Sequence, residues 1–158
     1  MTQTNLLRLA DAPRSPADRP DWQRLWLAIQ RTPWRSLAVI PAHHDIPTTR
    51  VARAITQVAT RHLGPTALVG DATAITLDRL QAAVSCWIAR PEGDPRVVLA
   101  LAPVLTSPAS LALAQAADAA ILCLSLGRTA LADAARTVEE VGRSRLLGAV
   151  ILKEGDLR

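Results

Sequence analysis

The residues whose types and order come closest to a reactive site lie between Ala42 and Thr49, where the chain reads AHHDIPTT. They fall where a phosphate-binding loop of the form GxxxxGK[ST] belongs, between an apolar run, Leu37-Ala38-Val39-Ile40, and a long amphipathic stretch. In such a loop the glycines let backbone amides curl round phosphate oxygens, and the lysine carries a point charge to the outer phosphates. Here Ala42 and Pro47 stand at the glycine positions and Thr48 at the lysine position, and Thr49 alone keeps the terminal hydroxyl. Pro47 removes an amide donor and restricts φ. Asp45 sets a carboxylate where a polyphosphate would lie, and Lys153, the only lysine in the chain, is far away in sequence. What persists is a helix N-terminus, whose amides and dipole favour an anion. These residues predict a phosphate-binding scaffold without its catalytic loop.

Other chemistry-bearing residues carry weaker patterns. His43, His44 and Asp45, with His62, are donor types suited to zinc, but adjacent histidines on a loop lack the spaced partners of a zinc site, so no metal is expected. Cys86 and Cys123 sit in apolar segments without CxxC or Cys/His spacing and are expected to be reduced core residues. At 158 residues and 49% hydrophobic, the chain can bury one core. Its net charge of +4 rests on seventeen arginines and one lysine. An arginine excess can serve nucleic acid or anionic lipid. In the linear sequence, however, the arginines are scattered among Asp and Glu without a like-charge block, which reads as a solvated surface. With no Phe or Tyr, aromatic work falls to Trp22, Trp26, Trp34 and Trp87. No ladder of rings exists for stacking bases, and nucleic acid is not an expected partner. No apolar run approaches the ~18 residues of a membrane span. The first residues are too polar and acid-containing for a signal peptide, so a cytoplasmic location is expected.

The elements that would position the loop follow from periodicity. Residues 1–19, with Pro13 and Pro16 among charges, read as a flexible tail ahead of a domain over 20–158. Asp21 to Arg31 predicts a helix with Trp22, Leu25, Trp26 and Ile29 on one face; the domain's own sheet or a partner surface could receive the tryptophans. Val51, Ile55, Val58, Ala59 and Leu63 form the inner face of the helix behind the loop, with Arg50, Arg53, Gln57 and Arg61 facing water. A second strand runs from Thr66 to Val69 and leads into Gly70-Asp71-Ala72-Thr73. Thr76 then caps a helix carrying Leu77, Leu80, Val84, Trp87 and Ile88. Val97 to Ala102 is a third strand, and Ser107-Pro108 opens the next helix. Ala119 to Leu126 is a fourth strand. Thr129 caps a helix with Leu131, Ala134, Val138 and Val141 inward, ending at Gly142, and Leu147 to Leu152 is a fifth strand. Strands alternating with helices predict an α/β three-layer sandwich around a mainly parallel five-stranded sheet. Ligands would gather beyond the carboxyl ends of its strands, near Pro41 to Thr49, Asp71 and Pro103.

Together these segments resemble the ParA/MinD-like branch of P-loop ATPases, and within it the cytoplasmic bacterial tyrosine kinases of capsule and exopolysaccharide export. Thr48 to Ala54 looks like the family's TTxxxNLA-like helix, and Asp71-Ala72-Thr73 like its DxD-like motif with the second acid lost. Leu99 to Val104 is similar to IIDTPPV, with Ala100 at the metal-organising aspartate. Ser107 to Leu126 and Gly127 to Lys153 are the closest match. Asp21 and Arg24 fit the start of an ExxRxxR oligomerisation motif, with Leu27 in place of its last arginine. The resemblance implies a truncated P-loop fold with strand order 2-3-1-4-5 and degenerate nucleotide-site positions Ala42, Pro47, Thr48, Thr49, Asp71 and Ala100. It further implies partner or oligomer contacts through Asp21, Trp22, Arg24 and Trp26. The function it points to is a non-catalytic pseudo-ATPase or pseudokinase, an adaptor to a membrane polysaccharide synthesis or export complex and recruited there through a protein partner. The alternative is a ParA/MinD-like switch that still binds ATP and Mg²⁺ weakly.

Overall fold

A computed structural model describes residues 15–64 and 67–156. Five strands, β1 (Ser36–Pro41), β2 (Ala67–Ala72), β3 (Arg96–Leu101), β4 (Ala119–Ser125) and β5 (Leu146–Leu152), form one all-parallel sheet in the order β2-β3-β1-β4-β5. β1 is central and buried along its whole length, which explains why its sequence lacks polar alternation. Helices α1 (Pro20–Ile29) and α2 (Thr48–Leu63) cover one face. Right-handed crossovers place the next three on the other: α3 (Leu80–Ala83), which continues into a single π turn at Val84–Ile88, α4 (Pro108–Ala116) and α5 (Leu131–Val141). The predicted fold class and strand order are those observed. Among the described residues no helix is long and apolar enough to cross a membrane.

Two knots hold the amino ends of the strands. The Asp118 carboxylate accepts from the amides of Arg35 (2.7 Å) and Ser36 (3.1 Å), while Ser36 Oγ accepts from the Asp118 amide (3.0 Å), fixing β1 against β4. The second joins α1 to β3. The Trp26 and Trp34 rings meet edge to face at 6.3 Å, and the Arg96 guanidinium lies over both, 5.1 and 4.6 Å from their centres. Arg96 Nη1 donates to Gln30 Oε1 (2.7 Å) and Trp34 Nε1 to Ile29 O (2.9 Å), while Gln30 Nε2 is buried without a partner among the described residues. Burial lowers the Arg96 pKa from its ordinary value.

Several sequence expectations give way to local geometry. Residues 15–19 are folded, not a tail: Pro16–Asp18 make a 3₁₀ turn, Ala17 is buried, and Arg19 donates to the backbone and carboxylate of Asp156 in the turn after β5. The rest of the expected tail, 1–14, lies outside the described residues. Thr76 does not cap its helix, because its hydroxyl donates to the Asp78 carboxylate. The segment opens as a 3₁₀ turn, whose tighter winding rotates Leu77 to the outside. Cys86, in the π turn that follows, is exposed between the inward Val84 and Ile88; only Cys123 is a core thiol. Thr129 Oγ1 accepts from the Ser125 amide (2.8 Å), holding the β4 turn in place of a cap, and Leu131 in the first turn of α5 is 85% exposed. Leu63, on the last turn of α2, also faces outward.

Candidate functional site

The loop after β1 reaches the rim predicted for it, but its donors turn inward. The Ala42 amide donates to Cys123 O (3.0 Å), that of Asp45 to His43 Nδ1 (3.3 Å), that of Ile46 to His43 O (3.4 Å) and that of Thr48 to Ile46 O (3.0 Å). Pro47 has none to give. Among the described residues only glycines have positive φ, and 42–49 contains no glycine. A phosphate nest needs a left-handed residue beside a right-handed one, so this backbone does not form one. Ile46 is buried beneath the loop. Thr48, only 2% exposed at the position of the lysine, donates its hydroxyl to Leu101 O at the end of β3 (2.8 Å). That bond ties the first turn of α2 to the neighbouring strand. Thr48→Val is expected to cost about 1 to 2 kcal/mol, read as a lower urea midpoint at unchanged slope, because Leu101 O loses this donor in the interior.

The other degenerate positions are equally committed. Ala100 is fully buried in register with Val39 and Asp71, and its methyl offers no metal ligand. Asp71 is exposed and closes on its own turn, accepting from the Thr73 amide (3.1 Å) and hydroxyl (2.7 Å). Thr49 is half-buried in the first turn of α2. The carboxyl rim is divided where sequence reasoning gathered it. A hollow of about 310 Å³ joins Ala42, His43 and His44 to Pro103, Thr106 and Arg136, whereas Asp71 lines a separate one with Thr73 and Arg79. A third hollow, about 400 Å³, lies beside the α2 N-terminus and brings Asp45, Pro47 and Arg50 to Arg128, Lys153 and Glu154. Sequence reasoning missed the last three, although the rule that placed the loop at the carboxyl rim also places residues just after β4 and β5 there.

The histidines do not converge. His43 Nδ1 accepts from Asp45, so its proton sits on Nε2, which is buried without a partner among the described residues. His44 Nε2 lies 3.2 Å from Asp45 Oδ1 in the open, and His62 is on the last turn of α2, roughly 21 Å from Thr48 by helical rise. Among the described residues no group of three or more His, Cys, Asp or Glu could hold a metal ion. On α1, Trp22 and Trp26 are buried in the chain's own core, which leaves Asp21, Arg24 and Leu27 as the outward surface of that helix.

Comparison with protein-family models gives no match to the chain, and comparison with curated proteins gives no significant one. The class that fold and site define is therefore structural: an all-parallel α/β sandwich in the strand order of P-loop proteins, with a closed loop after its central strand.

Proposed function

We propose that this protein is a non-catalytic pseudo-ATPase or pseudokinase that acts as a cytoplasmic adaptor in bacterial polysaccharide synthesis or export, docking on a protein of a membrane complex. The observation that supports it is the loop: the amides of Ala42, Asp45, Ile46 and Thr48 bond to the chain itself, its lysine position is a threonine fastened to β3, and Ala100 replaces an acid. A polyphosphate approaching α2 would meet the Asp45 carboxylate and no nest of backbone amides. The chain also contains no tyrosine on which such kinases could place phosphate. Calorimetric titration with Mg-ATP is expected to give no heat with a micromolar midpoint, and the purified protein no ATP hydrolysis above background. Turnover abolished by Thr49→Ala would overturn the proposal.

A weakly nucleotide-binding switch is the second reading, favoured by one observation: Arg50, Arg128 and Lys153 share a hollow at the helix N-terminus. Micromolar heat that is lost in Arg128→Glu would select it.

A further inference from the structure

The arginines that look scattered along the chain are sorted by the fold. α1 and α2 lie side by side on one face, and both run toward the amino end of the sheet: the Arg19–Asp156 pair holds the start of α1 at the carboxyl end, and Thr48 holds that of α2. Their sequences carry four arginines, Arg24, Arg50, Arg53 and Arg61, against one acid, Asp21, a net +3. Arg50, Arg53 and Arg61 keep the outward phase of α2 over about 16 Å. Arg31, in the turn after α1, extends the same layer. Arg24, Arg31 and Arg53 form no ion pair with any described residue; Arg61 is 3.7 Å from Asp18. The opposite layer is close to neutral: Asp78, Asp133, Glu139 and Glu140 stand there against Arg79 and Arg136, and Arg143 and Arg145 follow in the 3₁₀ turn after α5.

We infer that the α1–α2 face is a docking surface for anionic phospholipid headgroups, so that the protein contacts a membrane surface directly, by a contact separate from any partner and from the loop. Charge favours an anionic occupant, and the apolar residues decide which. Leu27 is 67% exposed and Leu63 is 55% exposed on the same two helices, toward the same end of the sheet, where they can enter the headgroup boundary. Stacking of unpaired nucleic-acid bases would call for exposed rings, yet three tryptophans are buried, the fourth is half-buried on the other face, and the chain has no Phe or Tyr.

Flotation of the full chain with phosphatidylcholine vesicles, with and without phosphatidylserine, tests this. Binding is expected only with phosphatidylserine and is expected to fade as salt shortens the screening length. The triple variant Arg24→Glu, Arg31→Glu, Arg53→Glu should weaken it by on the order of a hundredfold, about fivefold per arginine removed. Leu27→Ser should weaken it further. Glu139→Gln with Glu140→Gln on the opposite layer should leave it unchanged, and matching circular dichroism melts would show that all variants fold. Equal binding to neutral vesicles, no binding to either, or wild-type binding by the arginine variant would overturn the inference. Retention on polyglutamate or an oligonucleotide without flotation would overturn it too and reassign the face to an acidic macromolecule.

Discussion

Replacing Trp26 with alanine is expected to lower the free energy of unfolding by about 4 kcal/mol, a large share of the 5 to 15 kcal/mol typical of a domain. The ring is 4% exposed and does three things at once. It fills the space between α1 and the sheet, meets the edge of Trp34, and provides one of the two faces on which the Arg96 guanidinium rests. Truncation removes the burial, opens a cavity and leaves a desolvated cation with half its aromatic lining. Arg96→Ala tests the same cluster from the other side, since Gln30 Oε1 would lose its charged donor. Its cost should be smaller, about 2 kcal/mol. Urea midpoints for the two single variants and the double variant check this. The double is expected to cost less than the sum, because the stack is counted in both. Strict additivity would mean that the stacking carries no energy.

Above pH 9 the fold should lose stability with an unusually simple profile. Burial pushes the Cys123 thiol in β4 from its ordinary value near 9 up to about 12. The unfolded chain releases that proton near the ordinary value, so between about pH 9 and 12 it binds one proton fewer than the folded chain. Stability is then present in full below pH 9 and falls by about 1.4 kcal/mol per pH unit above it, a loss of about 3 kcal/mol by pH 11. With no tyrosine and a single lysine, few other side chains titrate in this range. Denaturant midpoints across it should slope for the wild type and flatten for Cys123→Ala. Parallel curves would show that the thiol ionises without penalty in the folded state.

How much of this was legible in the sequence depended on how far apart the deciding residues lie. The run Leu37 to Ile40 and the phase of Val51, Ile55 and Val58 are local patterns, and they located β1 and α2; the strand order came from the resemblance to P-loop ATPases and not from any local pattern. The loss of phosphate-loop chemistry was equally local, visible in Pro47 and Thr48. What Thr48 does instead was hidden, because its acceptor, Leu101 O, lies 53 residues further on. Helix phase failed where winding departs from 3.6 residues per turn: Leu77 sits in a 3₁₀ turn, so a regular wheel misplaced it, whereas Cys86 was expected in the core from its apolar neighbours alone and is exposed. The hydroxyls of Thr76 and Thr129 read as caps because threonine favours that position, but each bonds elsewhere, to the Asp78 carboxylate and the Ser125 amide. The basic layer was invisible for a topological reason. β1 separates Arg31 from Arg50 in the chain, and only the crossover sets their helices side by side.

Molecular timers of the nucleotide-driven kind keep time through a segment that takes one shape with an intact ligand and another once the ligand is spent. A ligand can shift such an equilibrium only by touching the two shapes differently. The turn fastened between Cys123 and Leu101 is held from both sides by neighbouring strands. On the proposed reading, any cycle of assembly and release would be paced by other components.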